Sequence, residues 1–298
     1  MRRGGWLFDA RRTLACAFYC AVCLVAMTTS TAIAWYRRPS GFTLPDVGHD
    51  LFPAVSVIGA ANAHVICDGL LCATGYATAA FVMTQPQRWI IWRRIFLVYG
   101  SVVFLRALTL LMTALPDPYA LCAAHPRANF TWSGIPWSSV PGDVASLLGR
   151  GNAFADDGDG TGALTCGDSV FSGHTVLFVL CALVWHTYFP GLVWSPVNPV
   201  KLFVWVLSVV GTQLLIITRM HWTLDIALAY YITITTWNFY HGVCDALALD
   251  HYLKPVVHVD GVLMYPFIAW VETGSSFAEY RRRNDENFAR RRDTRRVD

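Results

Sequence analysis

The stretch Cys166-Gly167-Asp168-Ser169-Val170-Phe171-Ser172-Gly173-His174-Thr175-Val176-Leu177-Phe178-Val179-Leu180-Cys181-Ala182-Leu183-Val184 decides how this chain is read. A short polar opening with one carboxylate and one histidine runs straight into an apolar segment. No Asp, Glu, Lys or Arg follows Asp168 until Lys201. A bilayer is the solvent that tolerates such a run, because an ionic group in hydrocarbon is costly. The same character extends outward. Of 298 residues, 55% are hydrophobic and only 14% charged, where a soluble domain is about half apolar and about a quarter charged. The mean hydropathy is +0.41. The charge deficit is the stronger signal, because it means long stretches without ionic groups.

Six such stretches stand out, at 14–36, 53–84, 95–115, 168–189, 201–218 and 222–247. Each is near the roughly 20 residues that cross a hydrocarbon core. They predict an all-α fold, a polytopic membrane protein built as a six-transmembrane-helix bundle. The first run is longer than the roughly 7–15 residues of a signal-peptide core and is kept as a helix. The expected organisation is a basic cytosolic tail at 1–13 and a transmembrane catalytic domain at 14–248. That domain carries a polar loop at about 116–167. A cytosolic tail follows at 249–298, with a short interfacial segment at 261–271.

Charge placement orients the bundle. Arginines crowd both ends (Arg2, Arg3, Arg11 and Arg12, then Arg281 to Arg283, Arg290 to Arg292, Arg295 and Arg296), although the net charge is only +3. Nucleic-acid binding is one reading of such tails. Beside transmembrane helices the cytosolic, positive-inside flank is preferred, so no nucleic-acid partner is expected. The 116–167 loop then faces the lumen or exterior. It holds the sequon Asn129-Phe130-Thr131, usable only on that side. The nine cysteines show no metal spacing. Cys122 and Cys166 bracket the loop and could be bridged in an oxidising compartment.

The polar residues converge under that topology. His174 is expected about two turns into the fourth helix, and His221 at the mouth of the sixth. Asp225, four residues after His221, shares its helix face. Two imidazoles and a carboxylate at one depth suit phosphoryl-type transfer. One histidine attacks phosphorus and a carboxylate orients it. The second histidine carries the proton. Ser172-Gly173 lets backbone N–H groups approach an anionic phosphate at a helix start. The scheme invokes no metal and no cofactor. His49, His64, His186 and His241 are read as structural. Arg106 on helix three and Asp68 on helix two stand near mid-helix. They are read either as a buried ion pair or, for Arg106, as a group reaching the donor phosphate.

These blocks resemble the signatures of the sphingomyelin synthase family, which includes the inositol-phosphorylceramide synthases of protozoa. The family lies within the type 2 phosphatidic acid phosphatase-like superfamily. The resemblance is carried by Cys166-Gly167-Asp168…Ser172-Gly173-His174-Thr175 and His221-Trp222-Thr223-Leu224-Asp225 through Tyr230-Tyr231. Leu44-Pro45-Asp46…Asp50 and Arg93-Arg94…Gly100…Arg106…Thr109…Leu115-Pro116 agree with two further family blocks. It covers about residues 43–241. It implies that His221 is the nucleophile, Asp225 its orienter and His174 the acid/base, with Asp168 assisting. The implied partners are ceramide and a glycerophospholipid donor, with the Golgi or plasma membrane as location. Homo-oligomerisation stays open. Two departures stand out. Trp222 replaces the usual tyrosine. The glutamate that animal members carry upstream of the first histidine is missing from Gly142-Asp143-Val144-Ala145-Ser146, where Asp143 is the candidate stand-in.

The expected function is transfer of a phosphocholine, phosphoethanolamine or phosphoinositol headgroup to ceramide, releasing diacylglycerol. The rival is a lipid phosphatase, with water in place of ceramide. Phosphatases of that group carry a Ser-Arg pair upstream of the last histidine. Here the arginine is Arg219, two residues before His221, and Ser208 lies far upstream. Trp132, Trp137 and Trp222 are candidates for holding choline by cation–π contact, although aromatics are ordinary at a membrane interface.

Overall fold

The computed structural model describes residues 3–39, 44–52, 60–118, 122, 131–149, 166–190, 198–249 and 270–271. Side chains within 3–9, 60–64 and 245–249 lie outside that description. The described residues are helical, with no strand among them. The helices are α1 (Arg3–Arg37), α2 (Val47–Leu51), α3 (Ala60–Thr84), α4 (Arg88–Met112), a 3-10 turn (Trp132–Gly134), α5 (Val140–Gly149), α6 (Gly173–Tyr188), α7 (Pro199–Ile217) and α8 (Thr223–Leu249). The chain divides into two compact units, Met1–Ile234 and Thr235–Asp298, and α8 runs from the first into the second. The site lies in the first unit.

Among the described residues, four segments are long and apolar enough to cross a membrane: Ala10–Arg37, Val65–Thr84, Arg88–Met112 and Pro199–Ile217. Large apolar side chains on them stay exposed, among them Phe18, Met112 and Phe203. Water would not tolerate that pattern on so many helices, and lipid does. The chain is therefore an all-helical, multi-pass membrane protein. The expected fourth span is α6, whose 16 residues make a rod of about 24 Å, short of a hydrocarbon core of about 30 Å. The expected sixth, α8, has 27 residues but carries Asp225, Asn238 and His241 along its length. Of the six expected spans, four meet the length and apolarity of a membrane crossing among the described residues.

Helix boundaries follow local chemistry. Asn198 caps α7 by accepting from Val200 N (3.0 Å) and Lys201 N (3.4 Å), with Pro199 in the first turn where its missing N–H costs nothing. Ser172 caps α6 by accepting from Thr175 N at 3.2 Å. The third expected helix begins at Arg88 rather than Ile95, so Arg88, Arg93 and Arg94 lie inside α4. α4 packs along α1. A Cβ on Gly100 would come within 3.1 Å of the Cys20 Cα, so the glycine lets the two helices approach closely without crowding.

Alternating helix directions bring one set of ends together: the C-termini of α1, α4 and α7 and the N-termini of α3, α6 and α8. The C-terminal residues Ile33, Trp35 and Tyr36 of α1 form a cluster with Ile135, Val140, Cys122 and Cys166. Cys122 and Cys166 are joined by a disulfide closing a separation of 44 residues, a loop whose closure is worth on the order of 4 kcal/mol. Gly167 (φ 88°) turns the chain in the left-handed region, where a Cβ would strike the Ala34 carbonyl at 2.8 Å. That turn delivers Asp168 to the helix ends. The sequon residue Asn129 and nearly all of the expected interfacial segment lie outside the described residues.

Candidate active site

His174 is the second residue of α6, not two turns inside it, because the Ser172 cap starts the helix at Gly173. His221 lies in the turn between α7 and α8, and Asp225 in the first turn of α8. The two imidazoles meet nearly edge-on, with ring centroids 5.9 Å apart and an interplanar angle of 60°. Each faces a carboxylate. His221 Nδ1 lies 3.5 Å from Asp225 Oδ2, which also accepts from Trp222 N at 3.1 Å. His174 Nε2 lies 2.8 Å from Asp68 Oδ1. Asp225 is fully buried and His221 is 7% exposed. Beneath them Cys67, Leu215, Ile216, Met220 and Ile226 form an apolar floor.

Asp68 corrects one expectation. It does not pair with Arg106. It stands at the fourth position of the Val65–Thr84 span, close to the site end of α3, and bonds His174. Arg106 pairs with Asp168 instead. Its Nε donates to the Phe171 carbonyl at 2.7 Å, and an Nη to the Asp168 carbonyl at 3.2 Å. A Cβ on Gly173 would lie 2.5 Å from the guanidinium. The missing side chain is what lets Arg106 reach the first turn of α6, beside His174. No local spacing links residue 68 to residue 174, so this pairing is not legible in the sequence. Asp68 stands out in the sequence as the one acidic residue between Asp50 and Asp117.

Electrostatics separate the groups outside the spans. Burial first, then the neighbouring His174 and Arg106, push the His221 imidazole down to about 3. It is a neutral base at physiological pH. Burial raises Asp168 above the ordinary carboxylate range, with Arg106 opposing. The histidine read as structural at position 49 sits against the site: its Nε2 meets the His221 carbonyl at 3.1 Å, and its ring lies 5.0 Å from that of Trp222. Burial pushes His49 down as well, opposed by the bond to His221. His186 instead accepts from the Trp205 indole at 3.4 Å, and His241 Nδ1 meets the Trp237 carbonyl at 2.9 Å. The side chain of His64 lies outside the described residues.

Asp143 accepts from the Tyr36 hydroxyl at 2.7 Å, a bond that ties α5 to the end of α1. The three tryptophans do not form one cage. Trp132 and Trp137 stack with centroids 6.1 Å apart, and the Arg37 guanidinium already covers Trp132 at 4.3 Å. Trp222 packs on His49, and its indole N–H donates to the Pro116 carbonyl at 2.9 Å.

Comparison with known proteins gives the same direction. Residues 165–242 match the family described as PAP2 superfamily C-terminal, a region that holds His174, His221 and Asp225. A phosphatidylcholine:ceramide cholinephosphotransferase 1 from Caenorhabditis elegans is 27% identical over 262 residues, covering 86% of this chain and 51% of the relative. The human protein of the same name is 26% identical over 257 residues, 84% of this chain and 57% of its own length. The mouse sphingomyelin synthase-related protein 1 is 27% identical over 205 residues, 69% and 39% of the two chains. The chain spans about half the length of the curated relatives it matches. The chain thus carries a region similar to the PAP2 superfamily C-terminal family and is similar over most of its own length to phosphatidylcholine:ceramide cholinephosphotransferases.

Proposed function

We propose that this chain is a sphingolipid synthase that moves a phospho-headgroup from a glycerophospholipid to ceramide and releases diacylglycerol. The observation that carries the reading is the meeting of two imidazoles 5.9 Å apart, each facing its own carboxylate, at one end of a membrane bundle. Asp225 holds the Nδ1 side of His221, which leaves Nε2 to attack phosphorus. The bond from phosphorus to the diacylglycerol oxygen breaks as His174 protonates that oxygen. His174 then takes the proton from the primary hydroxyl of ceramide. That oxygen attacks the phosphohistidine, the P–N bond breaks, and His221 returns neutral. Asp68 orients His174. Arg106, held in place by Asp168, and the N-terminus of α6 supply positive charge where the phosphate gathers negative charge.

In this reading α6 and α8 complete six spans, the termini are cytosolic and the site faces the lumen or exterior, in the Golgi or plasma membrane. The Cys122–Cys166 disulfide at the site's end of the bundle supports that side, as do the arginine-rich tails. The names of the relatives make phosphatidylcholine the first donor to try.

Membranes holding the protein are incubated with fluorescent ceramide and phosphatidylcholine, phosphatidylethanolamine or phosphatidylinositol in turn. The product's headgroup names the donor. No product with any donor, together with phosphate release from phosphatidic acid, would replace the synthase by a lipid phosphatase.

A further inference from the structure

The Leu44-Pro45-Asp46 block has no part in the chemistry above, yet residues 46–52 are bonded to the turn that carries His221. Asp46 caps α2 by accepting from His49 N at 2.9 Å. The same carboxylate accepts from Thr223 N at 2.8 Å and from the Thr223 hydroxyl at 2.6 Å. Gly48 N donates to that hydroxyl at 3.1 Å. A Cβ on Gly48 would fall 2.2 Å from it, so the two segments touch with no space between. In return Arg219 donates to the carbonyls of His49 (2.8 Å) and Phe52 (3.2 Å). Arg219 has a φ of 60°, a conformation rare outside glycine, and these bonds help hold it there.

His49 completes the contact. A carbonyl only accepts, so the His49 Nε2 facing His221 O carries the proton and donates at 3.1 Å. His221 is carried on a turn rather than on a helix. It sits outside α7 and α8, and its N–H reaches the Leu215 carbonyl at only 3.4 Å. Its ring faces Asp225 while its backbone carbonyl is held by His49.

We propose that residues 44–52 are a clasp that positions the attacking histidine, with His49 and Asp46 as positioning residues acting through the backbone of the 219–223 turn without touching substrate. The proposal rests on the reading of His221 as nucleophile. It gives the first sequence block a task distinct from substrate binding: keeping a turn-borne nucleophile in line with phosphorus.

The test compares the full-length protein with His49→Ala and His49→Gln in detergent–lipid micelles. Glutamine keeps an N–H able to reach the carbonyl but loses the ring on Trp222. Diacylglycerol release from the donor is expected to show kcat lowered about tenfold or more in His49→Ala, since small misplacements of a reacting group cost that much. The KM for donor is expected to stay unchanged, and His49→Gln to recover most of kcat. An unchanged kcat in His49→Ala, or a glutamine variant no better than alanine, overturns the proposal. A second readout needs no substrate. Carbethoxylation of His221 by diethyl pyrocarbonate, followed by peptide mass spectrometry, is expected to quicken several-fold in His49→Ala; equal rates overturn the clasp. Wild-type protein that releases no diacylglycerol from any donor counts against the transfer reading, and the carbethoxylation rates then decide the clasp alone. Should His49→Ala fail to fold, Asp46→Asn removes an acceptor at Thr223 and carries the same expectations.

Discussion

Two pairs of histidines sit on or beside the same two helices and meet different partners. His174 and His221 lie where α6 and α8 begin, and each faces a carboxylate, Asp68 or Asp225. His186 and His241 lie far along α6 and α8. One accepts from an indole N–H, and the other meets a backbone carbonyl one turn earlier. The residue type is the same, and so is the membrane setting. The partner differs. Any of these partners sets which ring nitrogen carries the proton, but a carboxylate also stabilises the cation that forms during reaction.

That contrast is most sharply broken or kept by His221→Ala. Headgroup transfer should fall by about 10⁴-fold or more, as for removal of a nucleophile that acts with its base as a unit. His186→Ala should stay within about twofold of wild type, since surface-type substitutions away from a site have small effects. Equal losses from the two would erase the distinction.

Asp225→Asn comes next. It keeps the shape but turns the wrong face to His221 Nδ1, and a loss of about 10³-fold or more in kcat is expected. Asp68→Asn should cost less, about 10²-fold, because it acts on the proton carrier. Should Asp68→Asn leave kcat untouched, the second dyad is structural only.

The smallest effect is on stability against pH. His221 titrates near 3 in the folded protein and near its ordinary value of about 6.5 when unfolded. The unfolded chain therefore binds the proton first. The stabilisation is fully present above about pH 6.5 and drains as pH falls toward 3, reaching a loss of about 2 kcal/mol at pH 5. Thermal melting in detergent should show this slope in wild type, and a shallower one in His221→Gln. Asp168, raised by burial, tilts the curve the other way, so the difference between the two proteins is the quantity to read.

Much of this was visible in the sequence. Charge-poor runs found the helices, because hydrocarbon excludes ionic groups regardless of tertiary detail. Their edges were harder. α4 begins earlier than expected because Arg88, Arg93 and Arg94 are good helix formers, and their long stems let the charge lie away from the backbone. α6 begins later because the Ser172 side chain caps it there. His221 and Asp225 were legible as a unit from their four-residue spacing, and they meet although His221 lies in the turn before α8. His174–Asp68 and Arg106–Asp168 were not, because each joins residues far apart in sequence whose meeting depends on which helix ends share a side of the bundle. The contact of His49 with the nucleophile turn was hidden for the same reason.

The central claim is a covalent intermediate on His221. Donor lipid labelled in its headgroup is mixed with purified protein without ceramide, quenched in alkali to spare an N–P bond, digested and read by mass spectrometry. The account predicts the phospho-headgroup on the peptide holding His221, its discharge on adding ceramide, and its absence from His221→Ala. A label on another residue, or none while diacylglycerol is being released, would contradict it.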